Sequence, residues 1–217
     1  MADIFKFWSG VKGNARIHPK DRSILRQVSH SFDLRCLLHP FGGPLKNARI
    51  VLLYLAPGFS KEDLKVAKSK RAYKRNARVF RGTEPLSRPK DHVAGAKWVT
   101  SRTKSFGDYE TLRSKLAVLE LAPYHSKSFH DWPLLAALPS ARASLEWAQQ
   151  VLFPEAIAGK RVVICMRSPK YWGLRLGTSY GRGLFAPRTT RHGHMMRTRM
   201  RHKIIQAVNR VLAGKRA

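Results

Sequence analysis

The chain of 217 residues has only two cysteines, Cys36 and Cys165, and neither belongs to a C-x-x-C pair. Two isolated thiols argue against a disulfide framework, a zinc ribbon and a cysteine-bound cluster. They are typical of a reducing compartment, so we expect a cytoplasmic protein that needs no cofactor.

Long apolar runs are also absent. No run approaches the roughly 20 residues that cross a membrane. The first ten residues lack the basic start and apolar centre of a signal peptide. The 43% apolar content is ordinary for a globular protein. We therefore expect one monomeric domain without a membrane partner.

Acidic residues are scarce. The chain has 13 Asp and Glu against 42 Lys and Arg, a net charge of +29, and no acid follows Glu155. This argues against a nuclease, which needs clustered carboxylates for Mg²⁺. The positive charge predicts a phosphate-bearing partner. Because the basic residues are spread along the chain rather than gathered in one amphipathic helix, they favour nucleic acid over a membrane surface.

Unbroken apolar runs of strand length predict parallel strands, buried on both faces, at 50–56, 116–122 and 161–167. A short strand is expected around 184–186. Helix-compatible segments alternate with these runs, which predicts a three-layer αβα fold with a short central parallel sheet. We expect residues 1–44 to form an arm and a short helix packed on a domain of residues 45–217.

Two long helices are predicted from capping signals and apolar spacing. One begins at Ser60 and continues towards Phe80, with Ser60 as its cap and Asp63 in its first turn. The other begins at about Met195 and carries an apolar stripe to the end of the chain.

Each predicted strand ends in a turn that contains proline. Ligands of open α/β sheets bind beyond the carboxyl ends of the strands. We therefore expect the turns 56–59, 124–126 and 188–194 to line one pocket.

These strand ends carry a family resemblance. The segment Tyr54-Leu-Ala-Pro-Gly58 resembles the first motif of the uracil-DNA glycosylase superfamily, whose branches have Gly-x-Asp-Pro, Gly-x-Asn-Pro-Gly or Gly-Leu-Ala-Pro-Gly. Residues 122–126 stand where that superfamily holds the target base, and residues 185–194 stand in place of its His-Pro-Ser loop. The resemblance covers about residues 45–213. It extends to bacterial anti-phage glycosylases that remove hypermodified cytosine.

The resemblance implies a uracil-DNA-glycosylase-like fold and an enzyme that flips a base out of duplex DNA and hydrolyses its N-glycosidic bond. Ala56 stands where other branches have Asp or Asn. Water activation is therefore expected from Asp63 or Asp91, or is largely missing if Ala56 replaces a catalytic Asn. His192 or His194 is expected to polarise the leaving base. The residues expected to bind the base are Pro57, Gly58, Phe59, Tyr124, His125 and Ser126.

Basic residues near these turns are the expected phosphate contacts. A zinc site at His192 and His194 would lack a third ligand, so we expect no metal. The predicted phosphate contacts are Lys70, Arg71, Lys74, Arg75, Arg167, Ser168, Arg188 and Arg191.

The expected substrate is a bulky modified cytosine of phage DNA, because Ala56 and the nearby glycines leave room in the pocket. Two alternatives stay open. One is a uracil-repair glycosylase, and the other is a non-catalytic nucleic-acid-binding protein on the same fold.

Overall fold

The structure is a computed structural model, and it describes residues 3–217. Within these residues a six-stranded mixed sheet has a buried apolar cluster on each face. The predicted α/β class is therefore confirmed. No helix in this range is long and apolar enough to cross a membrane.

The sheet has the strand order β1-β3-β2-β4-β6-β5. Its four inner strands are parallel, as predicted for the three apolar runs and the short strand after them. The edge strands β1 and β5 are antiparallel to their neighbours and were not predicted. The bounds are β1 Phe41–Gly42, β2 Ile50–Tyr54, β3 Leu116–Glu120, β4 Val162–Cys165, β5 Thr178–Tyr180 and β6 Leu184–Ala186.

Strand β2 explains why the apolar runs are unbroken. Val51 and Leu53 pack into the cluster on one face, while Ile50, Leu52 and Tyr54 pack into the cluster on the other face. A strand covered on both faces has no polar side to alternate with.

The helices differ from the prediction at two places. The helix predicted from Ser60 towards Phe80 is two helices, because Ser69 caps a second one. The last helix begins at Arg199 rather than Met195, because Met195 pairs with Thr189 and Thr198 caps the helix. The helices are α1 Ile4–Trp8, α2 Arg22–Gln27, α3 Lys61–Val66, α4 Lys70–Val79, α5 Val93–Thr103, α6 Tyr109–Leu112, α7 Trp132–Ala137, α8 Pro139–Trp147, α9 Phe153–Ile157 and α10 Arg199–Leu212.

The connections place a topological switch point between β2 and β4. The chain leaves β2 for β3 on one side, and it leaves β4 for β6 on the other side. In open α/β sheets the crevice outside the carboxyl ends of two such strands is the usual ligand site. The functional search therefore begins at the segments that follow Tyr54 and Cys165.

Candidate nucleic-acid site

A cleft of about 500 Å³ lies at the carboxyl ends of β4 and β6. The four residues predicted to contact phosphate outside α4, namely Arg167, Ser168, Arg188 and Arg191, all line it. Ser168 has φ of 45°, the only positive φ of a non-glycine residue within 3–217. Such a backbone conformation costs of order 1–3 kcal/mol and is common at binding sites. The remaining lining residues are Cys165, Met166, Pro169, Leu176, Pro187, Thr189, Thr190 and Met196.

One wall of the cleft is an ordered turn, which we call the 189–195 turn. Thr189 and Met195 form an antiparallel bridge at its base. The Thr190 N–H donates to the His194 carbonyl at 2.8 Å, and the Gly193 N–H donates to the Thr190 carbonyl at 2.9 Å. Gly193 has φ of +76°, which closes the turn. The turn presents Arg191 and His192 as exposed side chains, whereas His194 is half-buried.

Two arginines hold this turn from different elements. Arg102 of α5 donates to the His192 carbonyl at 2.7 Å. Arg167, after β4, donates to the Arg191 carbonyl. A Cβ at Gly193 would lie 3.4 Å from Tyr54 Cε1, so the turn covers the last residue of β2.

The turns after β2 and β3 meet each other. The Ser126 N–H donates to the Pro57 carbonyl at 3.0 Å, and His125 Nδ1 bonds the Gly58 carbonyl at 2.7 Å. Phe59 is half-buried, with the Lys127 ammonium 5.2 Å from its ring centroid. Of the three turns expected to share one pocket, Ala56–Phe59 and Tyr124–Ser126 are joined, but neither is part of the cleft lining.

Tyr124 is engaged in the core. Its hydroxyl donates to Asp21 Oδ2 at 2.6 Å and accepts from the His18 N–H at 3.2 Å. Burial, together with the nearby Asp21 carboxylate, raises the pKa of Tyr124. The hydroxyl proton is committed to Asp21, so this geometry argues against the predicted contact of Tyr124 with a base. Instead, Tyr124 ties the N-terminal arm to the sheet.

The Tyr124→Phe variant tests this structural role. It leaves the buried Asp21 carboxylate without one donor, so we expect the free energy of unfolding to fall by about 1–3 kcal/mol. DNA affinity should stay within about twofold of the wild type. Urea unfolding and fluorescence anisotropy measure the two quantities. A large loss of DNA affinity at unchanged stability would contradict the structural role.

Asp63 is also committed to structure. Its Oδ2 accepts from the Ser60 N–H at 2.6 Å and from Ser60 Oγ at 2.7 Å, which completes a capping box at α3. Its Oδ1 lies 3.3 Å from His92 Nε2, and its Oδ2 lies 3.8 Å from His125 Nδ1. Burial acts to raise the pKa of Asp63, but His92, His125 and Ser60 outweigh it and hold the pKa at about 2.

Neither acid expected to activate water suits that task. The low pKa of Asp63 makes it a weak base, and its oxygens already accept hydrogen bonds. Asp91, the alternative, forms an ion pair with Arg71 at 2.9 Å.

The predicted phosphate face of α4 is partly used within the protein. Arg71 is held by Asp91. Arg75 donates to the Pro85 carbonyl at 2.7 Å and lies 3.5 Å from Glu84. Lys70 and Lys74 are exposed. The four basic residues on α4 therefore form a weaker candidate for phosphate contact than those of the cleft.

Two residues that sequence reasoning missed lie at the carboxyl ends of β2 and β3. Glu120 is 4% exposed, and burial raises the pKa of its carboxyl group to about 8. Tyr54 lies directly opposite Glu120 in the sheet and is 5% exposed. The available signal was the single acid in the apolar run Leu116–Leu121. Perturbed, buried titratable groups at the mouth of a sheet are candidates for function.

Together these features define an α/β protein with an arginine-lined cleft and a buried carboxyl group at the carboxyl edge of its sheet. No family model, curated protein or solved structure matches the chain. No group of three or more His, Cys, Asp or Glu within residues 3–217 is placed to hold a metal ion.

Proposed function

We propose that this protein is a DNA glycosylase that flips a modified base, with bulky-modified cytosine favoured, and leaves an abasic site. The observation that carries the proposal is the arginine-lined cleft beside the switch point of the sheet. Three guanidinium groups bind the phosphates of a duplex, and the cleft between them receives a flipped nucleotide.

The size and lining of the cleft support a ligand larger than an ordinary base. About 500 Å³ falls within the range of small-molecule sites. Leu176 and Met196 are exposed apolar residues on its rim, whereas Arg188 and Arg191 supply charge. Ala56, half-buried at the neighbouring turn, adds no bulk.

His125 replaces Asp63 as the proposed activator of water. Its Nδ1 bonds the Gly58 carbonyl, so Nδ1 carries the proton and Nε2 keeps its lone pair. Burial lowers the pKa of His125, which keeps the ring neutral and able to accept a proton. Asp63, 3.8 Å from Nδ1, orients the ring rather than activating the water itself.

His192 is the proposed donor to the departing base. Its side chain is exposed at the tip of the 189–195 turn, and its backbone is held by Arg102. A donor fixed in place before the reaction stabilises the negative charge that develops on the base. His194 is half-buried in the same turn and is the second choice.

A non-catalytic DNA-binding protein on the same fold is the second candidate. The observation in its favour is the engagement of both candidate acids, with Asp63 in its capping box and Asp91 with Arg71. Ala56 offers no polar group in their place. This candidate keeps the cleft and its arginines but has no chemistry.

A strand-break assay separates these functions. Duplexes with one uracil, one hydroxymethylcytosine or one glucosylated hydroxymethylcytosine are incubated with the protein and then treated with alkali. We expect breaks with the glucosylated duplex. Breaks with uracil alone would identify a repair enzyme instead, and tight binding without breaks would favour the non-catalytic protein.

Two variants sharpen the assay. His125→Ala should abolish breaks while keeping DNA affinity, whereas His130→Ala, at an exposed histidine nearby, should change neither. If no duplex is broken, Ala56→Asn is tested next. Activity gained by this substitution would indicate a site that has lost its water-activating group, and continued inactivity would favour the non-catalytic protein.

A further inference from the structure

Three buried polar atoms lie under the 189–195 turn: Tyr54 Oη, Arg102 Nε and Glu120 Oε2. Within the described part of the chain, none of the three has a hydrogen-bond partner. An unsatisfied buried polar group costs about 1–3 kcal/mol, so native proteins contain few of them. Several in one place indicate a site whose partners arrive from outside.

Packing brings the three residues together. Tyr54 and Glu120 are direct partners across β2 and β3, so their side chains share one face of the sheet. The Tyr54 ring packs 4.7 Å from the Trp98 ring, and the Arg102 guanidinium lies 4.4 Å from the Trp98 ring. Arg102 is near enough to lower the pKa of Tyr54, against burial that raises it, although the pair forms no hydrogen bond of good geometry.

We propose that Tyr54, Arg102 and Glu120 form the subsite that grips the hydrogen-bonding edge of a flipped pyrimidine. The 189–195 turn covers this subsite in the free protein. The inference rests on the proposed function, because it assigns a place to the base that the enzyme would remove.

The chemistry of the three groups suits a pyrimidine edge. A neutral carboxyl group offers one O–H donor and one carbonyl acceptor side by side. Cytosine presents the matching pair, an acceptor at N3 and an amino group at C4, and carboxyl groups accept from that amino group in DNA recognition. The free N–H at Arg102 Nε supplies a donor for the carbonyl oxygen at C2.

DNA itself can uncover the subsite. Arg102 and Arg167 hold the turn by single hydrogen bonds to neutral carbonyls. A phosphate is a stronger acceptor for a guanidinium group, since the hydrogen bond is then charge-assisted on both sides. When phosphates draw these arginines away, the turn loses both of its anchors.

Glu120 is the group whose charge changes near neutral pH in this cluster. Burial raises the pKa of Tyr54 and keeps its hydroxyl protonated. Burial also lowers the pKa of His39, on the segment next to β3, to about 3, so its ring stays neutral. Arg102 and Arg167 remain charged. As the pH rises through about 8, Glu120 ionises and loses its donor, so the grip on the base should weaken.

The test is base extrusion followed by 2-aminopurine placed next to a cytosine or a uracil in a duplex. Its fluorescence rises when the neighbouring base leaves the stack. For the wild type, the affinity for the extruded state should fall about 30-fold between about pH 6.5 and about pH 9.5, following the neutral fraction of a group of pKa near 8. Anisotropy on an unmodified duplex corrects for general DNA affinity.

Two variants distinguish this role from a structural one. Glu120→Gln keeps one donor and one acceptor at every pH, so it should extrude the base equally well across that range. Glu110→Gln, at an exposed acid on α6, should keep the wild-type pH dependence. Circular dichroism confirms that each variant is folded.

The outcomes also separate the subsite from the enzyme. Extrusion that depends on pH in the wild type but not in Glu120→Gln, without base release on any substrate, would keep the subsite and reject the glycosylase. Equal extrusion at both pH values, no extrusion at all, or an alkaline loss retained in Glu120→Gln would overturn the subsite. If the cytosine and uracil duplexes respond alike, the subsite recognises pyrimidines in general.

Discussion

The Arg188→Ala, Arg191→Ala double variant is expected to bind DNA on the order of 50-fold more weakly than the wild type at about 0.1 M salt. Both side chains are exposed, line the cleft and come from the segment after β6. Each phosphate contact contributes about 0.9 to the slope of log K against log salt, so the slope should become shallower by about 2 units. Anisotropy titrations over a salt series measure both quantities.

A matched control comes from the opposite edge of the sheet. Arg49 and Lys160 are exposed and lie before β2 and β4, at the amino ends of these strands. The Arg49→Ala, Lys160→Ala variant removes the same charge, but we expect only a small change in the slope. Equal losses in the two double variants would show that net charge, not the cleft, determines DNA affinity.

The Asp63→Asn variant should lose about 2 kcal/mol of the free energy of unfolding at neutral pH, which follows from a pKa held at about 2 instead of near 4. The side chain is only 10% exposed, so solvent screens little of this effect. Because the folded state lowers this pKa, the stabilisation is complete above about pH 4 and is lost as the pH falls towards about 2. Urea unfolding across this range should show a flatter acid dependence in the variant.

Asp63→Asn also tests the division of roles between Asp63 and His125. If Asp63 orients His125, the folded variant should keep a measurable part of any base release, whereas His125→Ala should lose it. Glu146→Gln, at an exposed acid of α8, should change stability by less than about 0.5 kcal/mol. Unchanged stability together with complete loss of base release would return Asp63 to the predicted role of water activator.

The central strands could be predicted from the sequence because their environment leaves a direct mark on it. Strand β2 is covered on both faces, so residues 50–54 are all apolar. The edge strands leave no such mark. β1 has two residues inside a loop rich in Pro and Gly, and β5 has three residues that are half-buried or exposed.

The roles of single site residues depended on partners far along the chain. Tyr124 and Asp63 both stood in plausible positions, but Asp21 occupies the hydroxyl of Tyr124 from 103 residues away. His92, which pairs with Asp63, carried no sequence signal beyond a polar loop. Glu120 was visible as an acid in an apolar strand, yet only the fold shows that its Oε2 has no hydrogen-bond partner among residues 3–217.

Release of a free base is the most direct test of the central claim, that the arginine-lined cleft belongs to a glycosylase. Phage DNA with glucosylated hydroxymethylcytosine and unmodified DNA are incubated with the protein, and small molecules in the filtrate are identified by mass spectrometry. We expect the free modified base from the first DNA and nothing from the second, with loss of the signal in His125→Ala. Tight binding of both DNAs without any released base would contradict the claim.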